Sequence, residues 1–268
     1  MMNRRQFATA TAVAFAPSAL FRSNEERPRW EADGVGSLAR IGVLTPDDDP
    51  VPESEMRTMA PVGVSIHVSR VLWNGDPRSL SFAEGADNAA RLLTRLKPRL
   101  ILYAFTASSY VLGEQDDDHL RTGIEQRAGG AKVLFTCPAA VEALRLMGAR
   151  KVTLIHPPWF AEALNAKGKK YFEGRGFGVV SSTSLAPART FQEVAPAELY
   201  EWTTAHTSPE CDAVFIGGNG LRAIGAIRAL EESLRKPVLT ANQVLFWQAL
   251  RQVGVRTSVE GYGRLFAH

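Results

Sequence analysis

Two short segments carry the residue types that grip an anion. Phe105-Thr106-Ala107-Ser108-Ser109 follows one aliphatic run and Gly217-Gly218-Asn219-Gly220 follows another. Small, hydroxylic or glycine residues at a helix start leave backbone N–H groups free for a carboxylate or phosphate oxygen. The simpler reading of each is a helix cap and a tight turn. Two such loops, about half the folded chain apart, imply two halves facing each other across a cleft. His156 ends a third aliphatic run, and an imidazole with an ordinary pKa of about 6.5 suits acid–base work. In His156-Pro157-Pro158-Trp159 it reads equally as a residue that stiffens a turn. Cys137, in Thr136-Cys137-Pro138, reads as a small buried hydrophobe at a helix start. Ser108 and Ser109 have no neighbouring base in the sequence that would make either a nucleophile. The acidic runs Asp47–Asp49 and Asp116–Asp118 both read as following strands; with His119 they would suit a hard cation, or more simply make solvated turns and caps. No metal set is assigned. Phe105, Trp159 and Phe160 would line a cleft with aromatic surface or pack between its halves.

The elements that position these groups repeat. Short β-branched or aliphatic runs predict strands over Ile41–Thr45, Val64–Val68, Leu100–Ala104, Lys132–Phe135, Lys151–Ile155, Gly178–Ser182, Ala213–Ile216 and Pro237–Thr240. Between them lie amphipathic stretches such as Phe82–Leu96, Ala139–Met147, Pro196–Thr204 and Leu221–Leu234. Continuous apolar strands separated by helices predict an α/β fold, a parallel sheet with helices on its faces. Ligands in such sheets sit beyond the carboxyl ends of the strands, where both candidate loops fall. Cys137 falls at that edge and Cys211 at the opposite one. A strand is roughly 17 Å long and a disulfide needs Cα atoms within about 7 Å, so no bridge between them is expected.

Composition sets the outer limits. The 268 residues are 45% hydrophobic and 22% charged with net charge +3, enough for one large domain or two small ones. Basic and acidic residues are interspersed, with no basic stripe or recognition motif, so no nucleic-acid partner is expected. No apolar run reaches the roughly 18–20 residues a spanning helix needs. The first residues differ: Asn3-Arg4-Arg5-Gln6-Phe7 precedes the uncharged, Ala- and Thr-rich stretch Ala8 to Leu20. That is the layout of a twin-arginine export signal, the alternative being a frayed amphipathic terminus. Residues 24–36 are polar and turn-rich, as a linker would be. Export of this kind implies folding before transport and a periplasmic destination.

Several segments in order resemble the aspartate/glutamate racemase superfamily, in its arylmalonate decarboxylase and maleate cis–trans isomerase branch. They are Ile41-Gly42-Val43-Leu44-Thr45-Pro46, Tyr103-Ala104-Phe105-Thr106-Ala107-Ser108, Ile216-Gly217-Gly218-Asn219-Gly220-Leu221-Arg222, Lys236-Pro237-Val238-Leu239-Thr240-Ala241-Asn242-Gln243 and Gly261-Tyr262-Gly263-Arg264-Leu265-Phe266. The resemblance runs from Arg40 to the C-terminus. It implies two pseudo-symmetric lobes, here 38–136 plus 241–268 and 137–240 after a 1–37 signal and linker. It also implies no cofactor and an interlobe site for a small carboxylate. Racemases and isomerases of this type use one cysteine per lobe, and the decarboxylase keeps the second as proton donor to an enediolate. In this sequence those positions fall on Phe105 and Gly218, a carboxylate-binding tyrosine falls on Pro158, and a loop proline becomes Asp47.

The expectation is therefore a lyase or isomerase acting through an enolate-like intermediate. Thr106 and Asn219 would stabilise it, His156 or water would deliver the proton, and Pro46, Asp47, Phe105, Ala107, Ser108, Gly217, Gly218 and Gly220 would bind substrate. A carboxylate at Asp47 opposes a second anion by roughly 1–4 kcal/mol at short range, which favours a monoanionic or neutral ligand. The competing expectation is a non-catalytic periplasmic binding protein for a small carboxylate on the same scaffold.

Overall fold

Every predicted strand forms, and the eight divide into two parallel sheets. The computed structural model describes residues 33–72, 84–185, 194–257 and 259–268, and Gly34–His268 forms one unit. The twin-arginine stretch lies outside the described residues. The first sheet contains β1 (Ala39–Pro46), β2 (Val64–Val71), β3 (Leu100–Tyr103) and β4 (Lys132–Phe135), in the order β2-β1-β3-β4. The second contains β5 (Lys151–His156), β6 (Gly178–Ser184), β7 (Ala213–Ile216) and β8 (Val238–Thr240), in the order β6-β5-β7-β8. The two orders are the same: the first strand of each set is joined to its second on one side and its third on the other. This repeat is the pseudo-symmetry of the two lobes.

Among the described residues eight α-helices connect and cover the strands: α1 (Val51–Met59), α2 (Glu84–Thr94), α3 (Thr106–Arg127), α4 (Thr136–Leu146), α5 (Glu162–Glu173), α6 (Pro196–His206), α7 (Ile227–Leu234) and α8 (Ala241–Gln252). Side chains on a strand alternate between faces, and here both faces are apolar. Along β3, Leu100 and Leu102 enter the core shared by the two sheets, while Ile101 and Tyr103 enter a separate core with α2 and α3. Along β7, Ala213 and Phe215 point to the shared core, and Val214 and Ile216 to a third core with α6 and α7. Between the sheets, α4 and α8 pack on one another. Residues Ala241 to Leu250 of α8 are all buried, so its polar members Asn242, Gln243 and Gln248 need internal partners, and each has one.

One placement differs from the sequence reading. Asp116–Asp118 do not follow a strand; they lie within α3, beyond a break at Gly113 (φ 77°, ψ −175°) that only glycine adopts readily. The break lets a second helical stretch run on where a loop was expected. Cys137 is the second residue of α4 and Cys211 precedes β7; both are buried and free.

Candidate functional site

In each sheet the strand order reverses between the first and third strands, and a crevice beyond their carboxyl ends is where such sheets hold ligands. The four loops leaving β1, β3, β5 and β7 start at Asp47, Ala104, Pro157 and Gly217. They contain or adjoin Pro46, Asp47, Phe105, Thr106, Ala107, Ser108, His156 and Gly217 to Gly220, whereas Cys137 lies in the helix after β4 and Asp116–Asp118 lie within α3.

The β3 and β7 loops are bonded directly to each other across the lobes. Thr106 opens α3 and is 1% exposed; its N–H and its hydroxyl both donate to Asn219 Oδ1, at 2.9 and 2.7 Å. Thr136 Oγ approaches the same oxygen at 3.2 Å, dividing its single proton between it and the Tyr103 carbonyl. The Gly218 N–H donates to Thr106 Oγ at 3.1 Å, and the Gly217 N–H to the Ile155 carbonyl at 2.8 Å. Donors from the first lobe therefore converge on one oxygen, the arrangement by which a protein stabilises a carboxylate or oxyanion. Here a carboxamide from the second lobe occupies the point of convergence.

Behind Asn219 runs a buried chain that the sequence did not reveal. Asn219 Nδ2 donates to Asn242 Oδ1, and Asn242 Nδ2 donates to the Asn219 carbonyl and to Glu55 Oε2, all at 2.8 Å. Glu55 Oε1 accepts the N–H groups of Ala223 and Ile224 at 2.7 and 3.0 Å. Burial raises the Glu55 pKa to about 7 against the opposing pull of these donors. Glu55 on α1 thus ties the first lobe to the chain after the glycine loop.

Asp49 is the second group that was missed, although its acidic run was noted. It is 7% exposed, and its Oδ1 accepts the Val51 N–H at 3.0 Å. A Cβ built on Gly220 would sit 3.0 Å from Asp49 Oδ2, so the carboxyl lies against the glycine loop. Burial lifts its pKa to about 6, opposed by the Val51 N–H and by Arg70. Pro46 ends β1 and is buried, while Asp47 is exposed and donates its N–H to the Val71 carbonyl.

His156 closes β5 and is completely buried. Its Nε2 is 3.2 Å from the Tyr110 hydroxyl, its ring stacks on Phe160 with centroids 5.6 Å apart, and burial drives its pKa down to about 3. It is a neutral imidazole at ordinary pH and holds no proton to deliver as an acid. Tyr110 comes from α3 of the first lobe and packs among Phe160, Tyr171 and Phe172 of the second. Phe160 is accordingly packing rather than cleft lining, Trp159 is exposed, and half-buried Phe105 packs against two of the cores. Ala107 is buried, and Ser108 turns its hydroxyl back to the Phe105 carbonyl at 3.0 Å. At Gly218 the backbone has φ +89°, and an added Cβ would lie 2.2 Å from Pro157 Cγ. No side chain fits there with the loop in this form.

Among the described residues no group of His, Cys, Asp and Glu is arranged to hold a metal ion. The family model described as arylmalonate decarboxylase matches residues 82–266. A maleate isomerase of Alcaligenes faecalis is 23% identical over 247 residues, covering 85% of this chain and 96% of its own. The maleate isomerase of Pseudomonas putida S16, solved with maleate, superimposes with a TM-score of 0.77 at 21% identity over 85% of this chain and 97% of that one. A maleate cis–trans isomerase mutant of Nocardia farcinica, solved with a covalently bound succinylcysteine intermediate, gives 0.74 at 22% identity over 85% and 98%. The strand order, the facing loops and the match over most of the folded residues agree: the chain belongs to the arylmalonate decarboxylase family.

Proposed function

We propose that this chain is a cofactor-independent lyase or isomerase acting on a small carboxylate through an enolate-like intermediate, with no thiol at the two positions where its family places cysteines. The observation that carries the reading is the convergence of the Thr106 N–H and hydroxyl on a single oxygen at the interlobe contact. A substrate carboxylate oxygen taking that point, with the Asn219 carboxamide swung aside, would meet preorganised donors in a site closed to water. Phe105 and Gly218 carry no titratable group, and His156 is held neutral by burial. The proton therefore falls to Asp49, whose carboxyl is partly protonated near neutrality and lies beside the glycine loop. In a decarboxylation, the electrons of the breaking C–C bond would pass into the remaining carboxylate as CO2 leaves. Asp49 would then protonate the α-carbon.

One observation favours a second reading, a binding protein without turnover. Thr106, Asn219 and Gly218 satisfy one another's hydrogen bonds as they stand. Incubation with arylmalonates, maleate and hydroxy acids, following CO2 release and α-proton exchange in D2O, separates the two. Turnover that Asp49→Asn abolishes supports the enzyme. Saturable binding with neither exchange nor CO2 release refutes it in favour of the binder. We propose in addition that residues 1–37 direct export by the twin-arginine route to the periplasm. Replacement of Arg4 and Arg5 by lysine should leave a fused reporter in the cytoplasm, and continued export would refute this.

A further inference from the structure

The two ends of the Asn219 carboxamide meet groups of opposite and fixed character. Its oxygen faces donors, the Thr106 N–H and hydroxyl at 2.9 and 2.7 Å and the Thr136 hydroxyl at 3.2 Å. Its nitrogen faces an acceptor, Asn242 Oδ1 at 2.8 Å. Neither side can reverse its role. A backbone N–H only donates, and Thr106 Oγ already accepts the Gly218 N–H, so its proton is free for Asn219 Oδ1. Asn242 is buried with its Nδ2 pinned by the Asn219 carbonyl and by Glu55 Oε2, both at 2.8 Å. Its oxygen is thereby turned to the interlobe contact, and a carbonyl oxygen only accepts.

A carboxylate in the place of the carboxamide would set its second oxygen against Asn242 Oδ1. Two buried acceptors would then face each other with no proton between them, which is costly. Charge opposes a carboxylate as well. Asp49 and Glu55 are buried carboxyls, close enough that Asp49 helps to push the Glu55 pKa up. The groups bonded to the Asn219 side chain come from Thr106, Thr136 and Asn242, none of which carries a charge to offset another anion. A primary carboxamide is neutral and presents one acceptor and one NH2 donor in the order the site requires.

We infer that the interlobe site recognises a primary carboxamide, and that its substrate is the half-amide of a small dicarboxylic acid, of the malonamate class, rather than the dicarboxylate. The half-amide enters only if substrate displaces Asn219, so this proposal rests on the reading of the site given above. Its amide oxygen then takes the place assigned there to a carboxylate oxygen, and its carboxylate is the group that leaves. The bond from the α-carbon to that carboxylate breaks and CO2 departs. The electron pair passes into the amide as an enolate whose oxygen faces the Thr106 donors, and Asp49 gives its proton to the α-carbon.

The test incubates the wild-type chain with 2-phenylmalonate and with its monoamide, following CO2 release and α-proton exchange in D2O. Phenylacetate and phenylacetamide are titrated in parallel by calorimetry. The monoamide should be decarboxylated with a kcat/KM at least about tenfold higher, and phenylacetamide should bind at least about tenfold more tightly, because the wrong ligand leaves buried polar groups unpaired. Asn219→Ala vacates the carboxamide, and formamide should raise the Tm of this variant while formate does not. Should the variant not fold, the two wild-type comparisons decide alone. Diacid turned over as well as its monoamide overturns the amide site and leaves the enzyme standing. Phenylacetamide bound no better than phenylacetate, or formamide acting no better than formate on Asn219→Ala, overturns it too. No turnover of either acid, with phenylacetamide preferred and formamide stabilising, refutes the enzyme and supports recognition of the amide.

Discussion

Replacing Asn219 by alanine removes a side chain on which both lobes close. The residue is 3% exposed, and its carboxamide accepts from the Thr106 N–H and hydroxyl and donates to Asn242. The Thr106 hydroxyl can rotate to another acceptor, and Thr136 keeps the Tyr103 carbonyl. The Thr106 N–H and Asn242 Oδ1 cannot escape so easily. Leaving a buried polar group unpaired costs about 1–3 kcal/mol, so two of them, softened by water entering the space, give about 3 kcal/mol. For a folded body of this size that is a fall in Tm of about 6–12 °C. Urea unfolding of wild type, Asn219→Ala, Thr106→Val and the double variant would measure it. Because the two residues share one network, the double variant should lose about 1–2 kcal/mol less than the sum of the singles. A loss below about 1 kcal/mol for Asn219→Ala with an unchanged denaturant slope, or strict additivity, would refute the interlobe lock.

Three further outcomes are expected. The Glu55 carboxyl has its folded pKa raised from 4.5 to about 7, so it stabilises most below pH 4.5 and loses that contribution as pH rises through 7. Glu55→Gln should therefore gain about 3 kcal/mol relative to wild type between pH 4.5 and 7.5, on top of any constant offset, and a pH-independent difference would contradict the assignment. His156 is the opposite case: its folded pKa is depressed from 6.5 to about 3, so its contribution is complete above 6.5 and lost as pH falls towards 3. Acid titration of stability should show a loss of about 5 kcal/mol over that window that is missing in His156→Gln. Gly218→Cys, which restores a thiol at the position the family resemblance implies, meets Pro157 at 2.2 Å in a backbone that side chains avoid. It should cost about 3 kcal/mol, with part of the loss recovered when Pro157→Ala is added; a fully stable single variant would show that the loop yields.

The contrast between Thr106 and Glu55 shows how far the residues could be read in order. Thr106, Gly217, Gly218 and Asn219 were legible because each follows an aliphatic strand, and local patterning places the loop after a parallel strand at the ligand-binding edge. Asn242 was visible only as part of a family-like segment, and Glu55 gave no signal at all: its partner Asn242 is 187 residues away. The Asp116–Asp118 run was read as following a strand, whereas it lies within α3 beyond the break at Gly113.

While the division into two lobes was what the family resemblance implied, the sequence by itself determined the parallel strands, their covering helices and the edge at which the loops gather. These follow from short-range periodicity, which the chain carries at every point. Only the tertiary structure decided which side chains meet and which protons they keep. Exclusion of water made His156 neutral and raised Asp49 and Glu55 towards neutrality. Desolvation is set by everything packed around a group, and those neighbours come from distant parts of the chain.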